Sequence, residues 1–139
     1  MLDVELVSPE RILYSGQASF VLTRTVDGGD IAFLTGHAPF IGALEICVVK
    51  IITDTGAEQF FAVHGGFVEV SADQVTILSD VAELREDIDV PRAQRAREAA
   101  EAAVRADADD EEAQAALKRA EIRLEVAGAA SSTASAAHH

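Results

Sequence analysis

Arginines supply most of the usable chemistry in this chain. Seven of its 11 basic side chains lie beyond residue 90: Arg92, Arg95, Arg97, Arg105, Lys118, Arg119 and Arg123. Arg92 and Arg95 stand i, i+3, and Arg119 and Arg123 stand i, i+4, so in helices each pair shares a face. Guanidinium forks suit phosphate oxygens, and two such pairs brought together would hold a polyanion. The same arginines serve equally well as a solvated surface paired with Glu98, Glu101, Glu121 and Glu125, and the spacing alone leaves both readings open. Other chemistry is sparse. His37 sits in a Gly/Pro loop, His64 ends a strand before Gly65-Gly66, and no serine or cysteine has a nucleophile-elbow setting. There is no phosphate-cradling glycine loop with a lysine and no Cys or His pair at ligand spacing. Neither a metal site nor catalysis by this chain alone is therefore expected.

The elements that carry the arginines begin at Glu86-Asp87-Ile88-Asp89-Val90-Pro91-Arg92-Ala93. Before this stretch the chain is β-branched, aromatic and punctuated by glycine; after it no aromatic residue occurs and alanine dominates. Asp89 can cap a helix by accepting from first-turn N–H groups, and Pro91 has no N–H to leave unsatisfied there. Ala93, Ala96, Ala100, Ala103 and Val104 recur at helical spacing. Asp107-Ala108-Asp109-Asp110 interrupts, and Asp109 with Glu112 predicts a capping box for a second helix. Its stripe is Ala113, Ala116, Leu117, Ala120, Leu124 and Ala127, with Gly128 as the stop. The result is an αα-hairpin over 87–128. A seam of alanines offers one methyl where leucine offers four carbons, each worth about 0.8 kcal/mol, so the two helices form readily and hold each other weakly. Residues 129–139, rich in Ala and Ser, read as a disordered tail, with His138-His139 as plain tail and not a metal site.

Residues 1–86 read as about 8–10 short strands with no helix between them, which predicts an antiparallel β-sandwich or flattened barrel and an α+β fold overall. Asp3-Val4-Glu5-Leu6-Val7 alternates polar and apolar. Arg11 to Tyr14 and Gln17 to Thr25 are separated by Ser15-Gly16. Asp27-Gly28-Gly29 supplies a tight reversal before Asp30 to Leu34. Leu44 to Thr53 and Glu58 to Val63 form a hairpin about Asp54-Thr55-Gly56. Gly65-Gly66 separates that hairpin from Phe67 to Val70, and Gln74 to Leu78 follows.

Charge narrows the partners. With 11 basic against 24 acidic residues the formal net charge is −13, which disfavours nucleic acid and anionic membrane surfaces and points to protein. One cysteine, Cys47, excludes an internal disulfide and reads as a buried structural thiol. Met1 to Glu5 has neither a basic segment nor an apolar core, so no leader is expected. Ile46 to Ile52 falls short of the roughly 20 residues of a span, so any membrane association is expected to come through a partner.

The order of features resembles the epsilon subunits of F-type rotary ATP synthases. The resemblance rests on Gly36-His37-Ala38-Pro39, Gly65-Gly66-Phe67-Val68-Glu69-Val70 and Ile88-Asp89-Val90-Pro91-Arg92-Ala93, followed by the Ala-rich hairpin, and it covers residues 1 to about 127. Thr35 stands where the family usually has proline. The resemblance implies a non-catalytic rotor component that needs no cofactor. Its sandwich would bind the gamma subunit and sit on the ring of c subunits, with Asp30 and His37 in the ring-facing loops. Its hairpin would be a switch: folded down it permits ATP hydrolysis, and extended along gamma into the catalytic alpha and beta subunits it blocks it. Some bacterial members bind ATP in the folded hairpin, and their motif matches Ile88, Asp89, Arg92 and Ala93, with Arg119 and Arg123 as second-helix arginines and Ala99 where another arginine is usual. The location implied is peripheral, at the cytoplasmic face of the plasma membrane. A stand-alone ATP sensor and a β-sandwich adaptor with an unrelated helical tail are the alternatives.

Overall fold

The computed structural model describes residues 1–136 and, for 129–136, the backbone alone. Seven strands come first: β1 (Leu2–Val7), β2 (Ile12–Thr25), β3 (Gly29–Phe33), β4 (Phe40–Thr53), β5 (Glu58–Ser71), β6 (Gln74–Leu78) and β7 (Ala82–Leu84). A 3₁₀ turn (Arg85–Asp87) leads into α1 (Val90–Ala106) and α2 (Glu111–Ala136).

The strands are fewer and longer than the 8–10 short ones expected. Ser15-Gly16 does not break β2, and Gly65-Gly66 does not break β5. The glycines bend β5 instead of ending it. Gly65 has φ +85° and Gly66 +133°, and a Cβ on Gly66 would lie 2.1 Å from the Leu78 carbonyl oxygen, so no other residue fits there.

Hydrogen bonding runs β1-β6-β5-β4-β2-β3, with β7 on β5, and β1 also pairs with β2, which closes the sheet into a flattened barrel. All pairings are antiparallel except β1 with β6, which is parallel. The alternation in β1 is realised: Leu2, Val4 and Leu6 are buried while Asp3 and Glu5 are exposed. Phe33, Phe61, Val21, Val49, Ile51, Val63, Val68, Val70, Val75 and Ile77 fill the interior. Cys47 lies among them as a buried thiol, and burial pushes its pKa up.

The continuous apolar run Ile46 to Ile52 has a simple cause. Cys47, Val49 and Ile51 face the core, while Ile46 and Val48 on the outer face of β4 lie under α2. Lys50 also points outward, its ammonium near the Phe20 and Phe60 rings and 2.6 Å from Glu58.

Asp89 caps α1, accepting from the Arg92 N–H at 3.1 Å. The cap of α2 is Asp110, not Asp109: its carboxylate accepts from the Ala113 N–H at 3.0 Å, while Asp109 donates its own N–H to Asp107. Three aspartates in four residues can each cap, and Asp110 gives the register that turns Ala113 inward. Ala93 and Ala100 of α1 meet Ala113 and Ala120 of α2, all buried; Ala96, expected in this seam, is exposed. Nor does Gly128 stop α2, which runs on to Ala136 across the segment expected to be a disordered tail. One exposed glycine costs a helix about 1 kcal/mol, which flanking alanines tolerate. Residues 137–139 lie outside the described residues.

Candidate functional site

Two surfaces can do work: the cleft where the hairpin meets the barrel, and an apolar face towards the other end of β5, beyond the Gly65-Gly66 bend.

α2 has a second apolar face that the alanine stripe does not include. Ile122 and Val126 are buried against Ala62, with Ile46, Val48, Phe60 and Ile88 packed around them. α1 rests on α2, and α2 rests on β4 and β5. Beside this patch Arg123 crosses to the barrel, its Nε donating to Glu83 Oε1 at 2.7 Å. The same oxygen accepts from His64 Nε2 at 2.7 Å. Burial raises the Glu83 pKa, but the hydrogen bonds from His64 and Arg123 outweigh it, and the carboxyl ends below its ordinary value.

Glu83 and Arg123, with Asp87, Asp89, Arg92, Ala93 and Ala96, line a cleft of about 290 Å³. Of the six residues expected to contact ATP, the structure brings Asp89, Arg92, Ala93 and Arg123 to this cleft. Ile88 stands behind it in the apolar patch, and Arg119 does not line it, being paired with Glu112 at 2.8 Å. Asp87 is tied to Arg11 across the hinge. Arg92 has no ion-pair partner among the described residues. With three carboxylates against two guanidinium groups, an incoming phosphate has to compete with Glu83 for Arg123. Sequence reasoning missed both Glu83 and His64. The available signal was a histidine within the apolar run Phe60 to Phe67 and an acid in the short strand just before the hinge.

Asp30 and His37 lie at opposite ends of β3 and are not brought together. Asp30 pairs with Arg24 at 2.8 Å, and this hydrogen bond holds its carboxyl below the ordinary value. It borders the groove between α2 and the barrel that also holds Lys50, Lys118 and Ile122. His37 occupies the loop before β4, edge-on to Phe33 with ring centres 4.9 Å apart, its Nδ1 2.7 Å from the Ala38 carbonyl. Asp73 holds that loop by accepting the Gly36 N–H at 2.7 Å.

The second surface follows from strand register. Ala43 lies opposite Phe67, Phe67 opposite Leu78, Leu78 opposite Val7, and Val7 opposite Ile12. Directly opposed residues point the same way, so these five form one apolar row across five strands. It is open to solvent: Ile12 is 62% exposed, Phe67 59% and Leu78 53%. The next row holds Ile41, Glu69, Thr76 and Glu5, so an acidic line flanks it.

Residues 1–85 match the family model of the ATP synthase delta/epsilon chain beta-sandwich domain, and residues 86–128 match that of its long alpha-helix domain. A Streptomyces griseus ATP synthase epsilon chain is 44% identical over 123 residues, which cover 88% of this chain and 92% of the relative. The Symbiobacterium thermophilum ATP synthase epsilon chain is 43% identical over 132 residues, covering 92% and 94%. The Brevibacillus brevis epsilon chain is 48% identical over 100 residues, covering 72% and 75%. In fold, the chain is similar to one in the cryo-EM structure of Euglena gracilis mitochondrial ATP synthase, with a TM-score of 0.65 at 24% identity, over 99% of this chain and 81% of that one. A barrel followed by a capped helical hairpin, matched over residues 1–128 by the two domain models and over most of the chain by relatives above 40% identity, makes this chain a member of the ATP synthase delta/epsilon family.

Proposed function

We propose that the chain is the epsilon subunit of an F-type ATP synthase. It is a non-catalytic part of the central stalk: its barrel joins the gamma subunit to the ring of c subunits, and its hairpin regulates ATP hydrolysis. The observation that carries the reading is the apolar row Ala43, Phe67, Leu78, Val7 and Ile12. A contiguous apolar face of this kind on an otherwise charged, acidic protein is a docking surface. Its acidic flank, Glu5 and Glu69, favours a partner with basic residues beside its apolar ridge. The gamma subunit covers this row, and the end of the barrel bearing His37 meets the ring. No helix among the described residues is long and apolar enough to cross a membrane. The subunit stays at the cytoplasmic face of the plasma membrane through the complex and does not insert.

The hairpin lies folded on the barrel, held by Ile122, Val126 and the Arg123–Glu83 pair. Its release would carry the arginines of both helices toward the catalytic alpha and beta subunits. ATP is a regulatory ligand of the closed form, taken between Arg92 and Arg123. Asp89, Arg92, Ala93 and Arg123 around one cleft support this, and the loss of Arg119 to Glu112 makes the binding weak. The test is capture of the gamma subunit by the wild-type chain and by Phe67→Glu/Leu78→Glu, with circular dichroism checking the barrel. Loss of capture with an intact barrel supports the docking face; unchanged capture refutes it. An ATP titration followed by amide NMR, with Arg92→Ala and Arg123→Ala as controls, tests the cleft.

A further inference from the structure

The charged link between hairpin and barrel has a buried group behind it. Among the described residues Arg123–Glu83 is the one ion pair that runs from α2 to the barrel. The Glu83 oxygen that takes it is also held by His64, whose side chain is only 4% exposed. An ionised carboxylate can only accept, so Nε2 of the imidazole bears the hydrogen, which leaves Nδ1 as the nitrogen with no part in this contact. That Nδ1 is buried with no partner. A histidine with one unsatisfied buried nitrogen is costly beside a leucine at the same place. What the histidine adds is a fixed direction for the Glu83 carboxylate.

The surroundings make the support rigid. The His64 N–H donates to the Val81 carbonyl at 3.0 Å, and Ser79 Oγ lies 2.6 Å from the Gly65 carbonyl and 2.9 Å from that of Val81. The approach to β7 is thereby pinned to the strand that carries the imidazole. On its other side His64 forms part of the wall of a cleft of about 400 Å³ that also touches Val7, Pro9, Phe67 and Leu78. Three of these residues belong to the apolar row.

We infer that His64 is a positioning residue for the link between hairpin and barrel: it fixes the carboxylate that Arg123 grips, and so sets how firmly the hairpin is held closed.

The experiment is amide hydrogen exchange over residues 111–126 of the full chain. His64→Leu should speed exchange in α2 about tenfold while β1 and β6 stay protected. His64→Gln, whose amide can still donate to Glu83, should restore most of the protection. In an Arg123→Gln background His64→Leu should have no further effect on α2. If it still has its full effect there, it acts by loosening the barrel and the inference fails. Unchanged α2 protection in His64→Leu also overturns it.

Discussion

Replacing Ile122 by alanine separates the hairpin from the barrel more cleanly than any other single change. Ile122 is buried against Ala62 and Val126 and lies outside the barrel's own core. Ile122→Ala removes three carbons, about 2.4 kcal/mol at about 0.8 kcal/mol per buried carbon. The cavity left behind places the cost in the range of about 2–5 kcal/mol found for such truncations. At about 1.4 kcal/mol per decade, the docked state loses at least about 50-fold in population relative to the released one. Amide exchange reads this directly. Protection of the α2 amides should fall by that factor while β4 and β5 hold theirs, and the barrel's melting transition should stay in place. The reasoning is refuted if α2 and the strands lose protection together, because hairpin and barrel would then be one cooperative unit. It is equally refuted if α2 protection falls less than about threefold.

Three other outcomes are expected. The Glu83 pKa is depressed when the hairpin is docked and returns toward the ordinary carboxylate value, about 4.3, when it is released, so the pair favours closure above that pH and the gain is lost as pH falls through the depressed value; α2 exchange followed from pH 7 to pH 3 should show this, and Glu83→Gln should remove it. Gly66→Ala forces a Cβ against the Leu78 carbonyl at a positive φ and should cost about 1–3 kcal/mol or more in chemical denaturation. Asp73→Ala removes the acceptor for the Gly36 N–H, a bond to a charged group worth about 1.5–3 kcal/mol, and puts alanine at a positive φ, so it should speed Gly36 amide exchange tenfold or more and lower the barrel's melting temperature by several degrees.

Much of the architecture could be read from residue patterns because those patterns are local. The alternation of β1, the Asp54-Thr55-Gly56 turn and the Asp89 cap each depend on a few neighbouring residues. Where the reading went astray, distance in sequence decided the outcome. Gly65-Gly66 looks like a break, and only the approach of the Leu78 carbonyl, 12 residues on, makes it a bend within one strand. Gly128 looks like a stop, but a helix this rich in alanine absorbs one glycine. The capping aspartate moved by one place because tertiary packing of Ala113 chose among several competent caps. The cleft was legible in part. Asp89, Arg92 and Ala93 follow from the hinge motif, and Arg123 from its spacing with Arg119. That Arg119 would turn to Glu112, two helical turns away, was not visible in an i, i+4 pattern. Glu83 and His64 stayed hidden because their chemistry arises from a bond between β5 and β7, 19 residues apart. Ile122 and Val126 escaped notice because they stand off the alanine stripe, facing a surface built from β4 and β5.

The most direct test of the account is hydrolysis by the assembled synthase with the hairpin held down. Cysteines introduced as Glu83→Cys and Arg123→Cys, partly exposed on the two sides of the contact between barrel and hairpin, can be joined by a short thiol-reactive crosslinker while buried Cys47 stays unreactive. The account predicts that the crosslinked subunit binds the gamma subunit as the wild type does and leaves ATP hydrolysis uninhibited, and that the same protein without the crosslink inhibits it. Equal inhibition by the crosslinked and uncrosslinked forms would contradict the claim that a moving hairpin is what regulates the motor.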